Sequence, residues 1–96
     1  MKFRFLPAAL TEVRDAARFY ESRVQGLGLD FIAEVRRGIS RVVAHPTAWG
    51  RMDNRFRRCL LARFPHGLIY SIESDEILIV SVMHLHRSPD SWRENL

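Results

Sequence analysis

Near the middle of this chain the spacing of apolar residues changes from about 3.6 to about 2, and that switch limits the fold more than any single residue does. Over residues 8–24, apolar side chains recur at Leu10, Val13, Ala17, Tyr20 and Val24, in steps that build one face of an amphipathic helix. Pro7 stands just before it, where a first helical turn tolerates proline. "QGLG", residues 25–28, reads as a turn. A second helix is expected over 29–44, with Ile32, Val35, Ile39 and Val42 on its buried stripe and Pro46 preventing its extension. Two helices joined by so short a turn predict an antiparallel helical hairpin.

"HPTAWGRMDNR", residues 45–55, carries the Pro, Gly, Asp and Asn of a loop. Beyond it, "FRRCLLARF" (56–64), "GLIYSIE" (67–73) and "EILIVSVMHLH" (76–86) read as three antiparallel strands in a meander. Strict alternation puts Ile77, Ile79 and Met83 on one face of the last strand, and Leu78, Val80 and Val82 on the other. Apolar residues on both faces predict a strand covered on both sides. The same rule groups Arg58 with Leu60, Ala62 and Phe64, and Arg57 with Cys59, Leu61 and Arg63. "KFRF", residues 2–5, is a short opening strand that can pair along a free edge of the last one. The order is β-α-α-β-β-β: a single α+β domain over 1–96, with a helical hairpin on a small, mainly antiparallel sheet.

Composition narrows the partners. The net charge is +4 with a pI near 10.2, and all but one of the 15 basic residues are arginine. Arginine's planar fork suits phosphates and carboxylates, so a polyanion or an acidic protein is favoured over a neutral small molecule. The lone cysteine, Cys59, excludes an internal disulfide and is expected to be buried and inert. No run approaches the roughly 18 apolar residues of a membrane span, and "MKFRFLPAAL" is too short and too charged for a signal peptide; a cytoplasmic location is expected.

"VMHLHRSPDSW", residues 82–92, ends the apolar pattern with His84 and His86 on one strand face, about 7 Å apart. Zinc needs three or four ligands, and no cysteine or acid has matching spacing, so neither a metal nor another cofactor is expected. The pair marks the exit of a strand from the core, while an imidazole with a pKa near 6.5 also suits acid/base chemistry. His66 falls in the preceding hairpin turn. Arg36, Arg37 and Arg41 form a solvated helix face. Arg57, Arg58 and Arg63, with the tryptophans Trp49 and Trp92, are the candidates for binding a partner; the strand arginines read equally as solvated edge charges, and the tryptophans as partly buried caps on the core.

In order and spacing, these pieces resemble the RelE/ParE superfamily of toxins from bacterial toxin–antitoxin pairs. "FLPAALTEVRDAARFYES" (5–22) is similar to the family's first helix, and "GLGLDFIAEV" (26–35) to the second-helix opening of the ParE-like branch. "RVVAHPTAWGR" (41–51) resembles its helix end and following loop, and 63–93 its terminal hairpin, histidine–arginine step and Pro-x-x-Trp end. The resemblance implies a toxin neutralised by a cognate antitoxin, with operator DNA reached only through that antitoxin. RelE-like members cut messenger RNA on the ribosome without metal, and ParE-like members inhibit DNA gyrase.

RNA cleavage without metal needs a base, cations on the scissile phosphate and an acid. Among the arginines of the first strand, the closing arginine and the histidines, Arg63, Arg87 and His86 are the candidate catalytic set for such chemistry. The arginine that the RelE-like pattern places beside "LIY" is Gly67 here, and Trp92 lies where a tyrosine is usual. These departures favour the ParE-like reading, a gyrase inhibitor and not an enzyme. The alternatives are a RelE-like mRNA endonuclease and a degenerate protein that only binds its antitoxin.

Overall fold

The computed structural model describes residues 1–96. Its elements are β1 (Lys2–Phe5), α1 (Pro7–Arg23), α2 (Leu27–Ala44), β2 (Gly50–Arg51), β3 (Phe56–Leu60), β4 (His66–Glu73), β5 (Glu76–His84) and a short 3-10 helix (Ser91–Asn95). The sheet order is β1-β5-β4-β3-β2. β1 runs parallel to β5, and every other pair is antiparallel. The α+β expectation holds, including the opening strand on the free edge of the last. No helix is long and apolar enough to cross a membrane.

The helical hairpin depends on two glycines with different tasks. Gly26, at φ 88°, adopts the left-handed conformation that starts α2. Gly28 lets the helices touch, since a β-carbon there would come within 2.6 Å of the Ala17 carbonyl oxygen. The Glu21 carboxylate accepts from the N–H groups of both glycines at 2.9 and 3.0 Å, satisfying donors that open α2.

The hairpin covers one face of the sheet. Ala9, Val13 and Ala17 of α1 and Phe31, Val35, Ile39 and Val42 of α2 pack there against Cys59, Leu68, Tyr70, Ile77, Ile79 and Val82. On the far face, Phe56, Ile69, Leu78, Val80 and Met83 are capped by a single large side chain, Trp92. Sequence alternation misassigned two residues: Val82 lies with the helices and Met83 faces away from them. A bulge is the reason. Ile69 pairs with Ser81 and Tyr70 with Ile79, so Val80 is an extra residue that reverses the alternation beyond it.

Other boundaries also moved. β3 stops at Leu60 and β5 at His84, each short of its apolar run, and α2 begins two residues early. Strand β2 and the final 3-10 helix were not expected. Two residues carry no readable period, and the tail is ordered by Trp92 inserting into the far face and by Arg93 bonding to Asp53 at 3.1 Å.

Candidate functional site

Two regions hold the polar side chains that the core leaves over: a histidine corner under α1 and an arginine edge along β2 and β3. At the corner, His66 opens β4 opposite His84. His66 lies in step with Leu68 and Tyr70 on the helix side, and the bulge turns the His84 ring to the same side. His66 is 5% exposed, so it belongs to the core and not to a turn. Its Nε2 lies 3.1 Å from the Tyr20 hydroxyl. Its ring packs edge-on against Phe31 and His84, with centroids 4.8 and 5.0 Å away. Burial, with His84 beside it, lowers its pKa to about 4, against a weaker upward pull from the Val82 backbone. The exposed His86 donates its backbone N–H to His84 Nδ1 at 3.0 Å.

Two carboxylates tie this part of the fold together. β1 ends at Phe5, so the edge of β5 beyond Ile79 has no neighbouring strand. Glu12 of α1 fills that gap, accepting from Ser81 Oγ at 2.9 Å, Val82 N–H at 3.1 Å, Asn95 Nδ2 at 3.1 Å and Arg87 at 3.3 Å. Glu34 of α2, 2% exposed, accepts from the Arg63 N–H at 2.7 Å and from Arg37 at 3.0 Å. Burial pushes the Glu34 carboxyl up, but the Arg63 backbone, Arg37 and the Ala62 backbone together hold it below the usual range. The loop it anchors holds Phe64 at φ 71°, a strained position for an aromatic residue, with its ring 4.8 Å from Tyr20 and 5.2 Å from Phe31.

The arginine edge is built differently. Arg57 faces the helices and donates from one guanidinium nitrogen to the Thr47 and Trp49 carbonyls at 3.1 and 2.8 Å. It fastens the 45–55 loop to the sheet. Arg58 faces away, and its stem lies over Gly67: a β-carbon there would sit 3.0 Å from Arg58 Cγ and Cδ. The spot where the RelE-like pattern places an arginine is thus covered by an arginine from the neighbouring strand. Neither Arg58 nor Arg51 has a carboxylate partner. Two clefts flank this edge. One of about 230 Å³ is lined by Arg51, Arg55, Arg57 and Ile72, and one of about 320 Å³ by Trp49, Met52, Arg58 and Leu60.

The residues singled out in the sequence therefore separate. Arg63 lies on the exposed β3–β4 loop, 3.9 Å from Asp30, and Arg87 is engaged by Glu12. His86 is exposed at the end of the histidine row. Arg63 and Arg87 are thus held to different helices, and no shared ion pair joins them. Trp92 is a correction: it is 0% exposed, its ring 4.8 Å from Phe56, so it is a core residue and no surface anchor. Arg57 is corrected in part, since the fold already uses its guanidinium. Arg58, Arg63 and Trp49 remain at least partly accessible. No cluster of three or more His, Cys, Asp or Glu side chains has the geometry to hold a metal ion. Sequence reading placed Tyr20 on a helix face and His66 in a turn and gave Glu12 and Glu34 no role; apart from Arg37 beside Glu34, their partners are distant in the chain.

A family described as the ParE toxin of type II toxin–antitoxin systems, parDE, matches residues 3–89 of this chain. No curated protein matches it. Among solved structures, one titled as the chromosomal ParDE TA system from P. aeruginosa superposes with a TM-score of 0.78 at 16% identity. That alignment covers 90% of this chain and 97% of the other.

Proposed function

Since this chain belongs to the ParE toxin family of type II toxin–antitoxin systems, we propose that it inhibits DNA gyrase and is neutralised by a cognate antitoxin. The observation that carries this reading is the family match itself, which runs over residues 3–89, from within β1 to beyond β5. The chemistry of the chain agrees with it. Metal-free RNA cleavage needs cations free to meet a phosphate. Arg87 instead bonds to Glu12, and Trp92, where a tyrosine would serve a nuclease, is buried beneath the sheet.

Purified protein added to DNA gyrase tests the target directly. Blocked supercoiling in vitro, with a DNA-damage response on induction in cells, is the expected result. Codon-specific cleavage of a reporter mRNA before any such response would establish the nuclease reading instead. Harmless expression combined with tight binding to the product of an adjacent small gene would identify a degenerate toxin. Co-expression of that neighbour restores growth if it is the antitoxin.

A further inference from the structure

Strand β2 is the last in the sheet, with only β3 beside it. The Met52 N–H bonds inward to the Phe56 carbonyl at 2.8 Å. Alternation along an antiparallel pair then turns the N–H and C=O of Gly50 inward and those of Arg51 outward, away from β3. Arg51 thus offers a free backbone donor and acceptor at an exposed edge. The register pairs Arg51 with Arg57, across from Tyr70 on the helix side, and Gly50 with Arg58, across from Ile69 on the far side. The two clefts therefore lie on opposite faces of the same edge. One is rimmed by Arg51, Arg55 and Arg57, with Asp53 in its wall paired to Arg93; the other has Met52 and the 49%-exposed Leu60 beside Arg58.

An edge protected only by solvated charge needs no such pair of clefts. Successive side chains of an added strand point to opposite faces, so one enters each cleft while the backbone bonds to Arg51. Resting on the toxin–antitoxin reading above, we infer that the outer edge of β2 docks an extended segment of the antitoxin by strand addition. The segment places an acidic side chain among Arg51, Arg55 and Arg57 and an apolar one against Met52 and Leu60. Charge selects this occupant. A second copy of the chain would bring its own arginines against these, whereas a carboxylate meets Arg51, which has no acidic partner, beside Arg55, paired with Glu73 at 3.0 Å, and Arg57.

The test measures affinity for the full-length protein encoded beside this gene, comparing wild type, Arg51→Ala and Arg51→Pro. Arg51→Ala removes the side chain, and Arg51→Pro also removes the outward N–H without touching the bonds to β3. We expect Arg51→Pro to bind at least tenfold more weakly than Arg51→Ala. Equal affinities for the two variants would overturn strand addition. Amide exchange on the wild type gives an independent readout that does not depend on the proline variant folding. Exchange at Arg51 should slow when the antitoxin binds; unchanged exchange there, or slowing at β1 instead, refutes the proposal. Slowing at Arg51 with concentration and no antitoxin would make a second copy the occupant, which also refutes it. If the neighbour does not bind the wild type at all, the toxin–antitoxin reading itself falls. Binding that is indifferent to Arg51 removes only the inference about the edge.

Discussion

The histidine corner and the arginine edge both place polar side chains at the limits of one sheet, but they engage them to different degrees. At the corner, Tyr20 meets His66, His86 meets His84, and Glu12 collects four donors from β5, the tail and Arg87. At the edge, Arg51 and Arg58 have no acidic partner, and Leu60 is half exposed beside them. Groups bonded to one another under α1 hold the fold together, and disturbing them changes stability. Unpaired groups on an open edge leave stability almost untouched and remain available to a partner.

The largest effect should come from Trp92, which backs the far face beneath the edge. Replacing it with alanine removes the largest side chain packed over Phe56, Ile69, Leu78, Val80 and Met83, leaving only the partly buried Leu6 and Met52 against them. Large-to-small changes of this kind cost about 3–5 kcal/mol, read from urea denaturation. A loss below about 1 kcal/mol would show that the tail is not part of the core, and the edge would then lack a rigid backing.

The corner should respond to acid. His66 has its pKa lowered to about 4 by burial, against about 6.5 in the unfolded chain. The folded state thus prefers the neutral ring, and the stabilisation is complete above pH 6.5. It is lost as pH falls from there towards about 4, where the folded ring also protonates. The span corresponds to about 3 kcal/mol, measurable as a falling denaturation midpoint. Over the same window, His66→Phe should flatten the curve. Glu34 adds a separate acid dependence lower down, since its depressed pKa makes stability fall as pH drops below the ordinary carboxylate range. If the wild-type curve is flat between pH 6.5 and 4, the corner is not closed.

Much of this architecture is written in local pattern. Both helices, the three long strands and the pairing of β1 with β5 follow from periodicity and turn residues, which act within a few positions. The faces of Val82 and Met83 do not, because a bulge is set by how two strands meet and leaves no mark on composition. That single extra residue also decided the site, since it turns His84 towards His66 and away from the far face. Trp92 is ambiguous in sequence, between core cap and exposed anchor, for a related reason. A tryptophan near a chain end looks like an exposed anchor until the far face of the sheet needs a cap. Glu12 and Glu34 occupy polar positions on amphipathic helices and look solvated in sequence; only the unpaired edge of β5 and the Arg63 backbone show that they are required inside.

The smallest effect gives the sharpest test of the comparison, because it sets two adjacent arginines against each other. Arg57 and Arg58 have the same chemistry, and strand alternation points them to opposite faces. Arg57 bonds to the Thr47 and Trp49 carbonyls, so Arg57→Ala frees the 45–55 loop and should cost about 1–2 kcal/mol, as expected for hydrogen bonds from a charged donor. Arg58 makes no such bonds, and only its methylenes cover Gly67. Arg58→Ala should leave the denaturation midpoint within about 0.5 kcal/mol of wild type, the range of an ordinary surface change. Its effect should appear in antitoxin affinity instead, since Arg58 lines the far-side cleft. Equal destabilisation by the two substitutions would mean that Arg58 is as necessary to the fold as Arg57. The edge would then hold one unpaired arginine, Arg51, and the contrast with the corner would narrow to that residue.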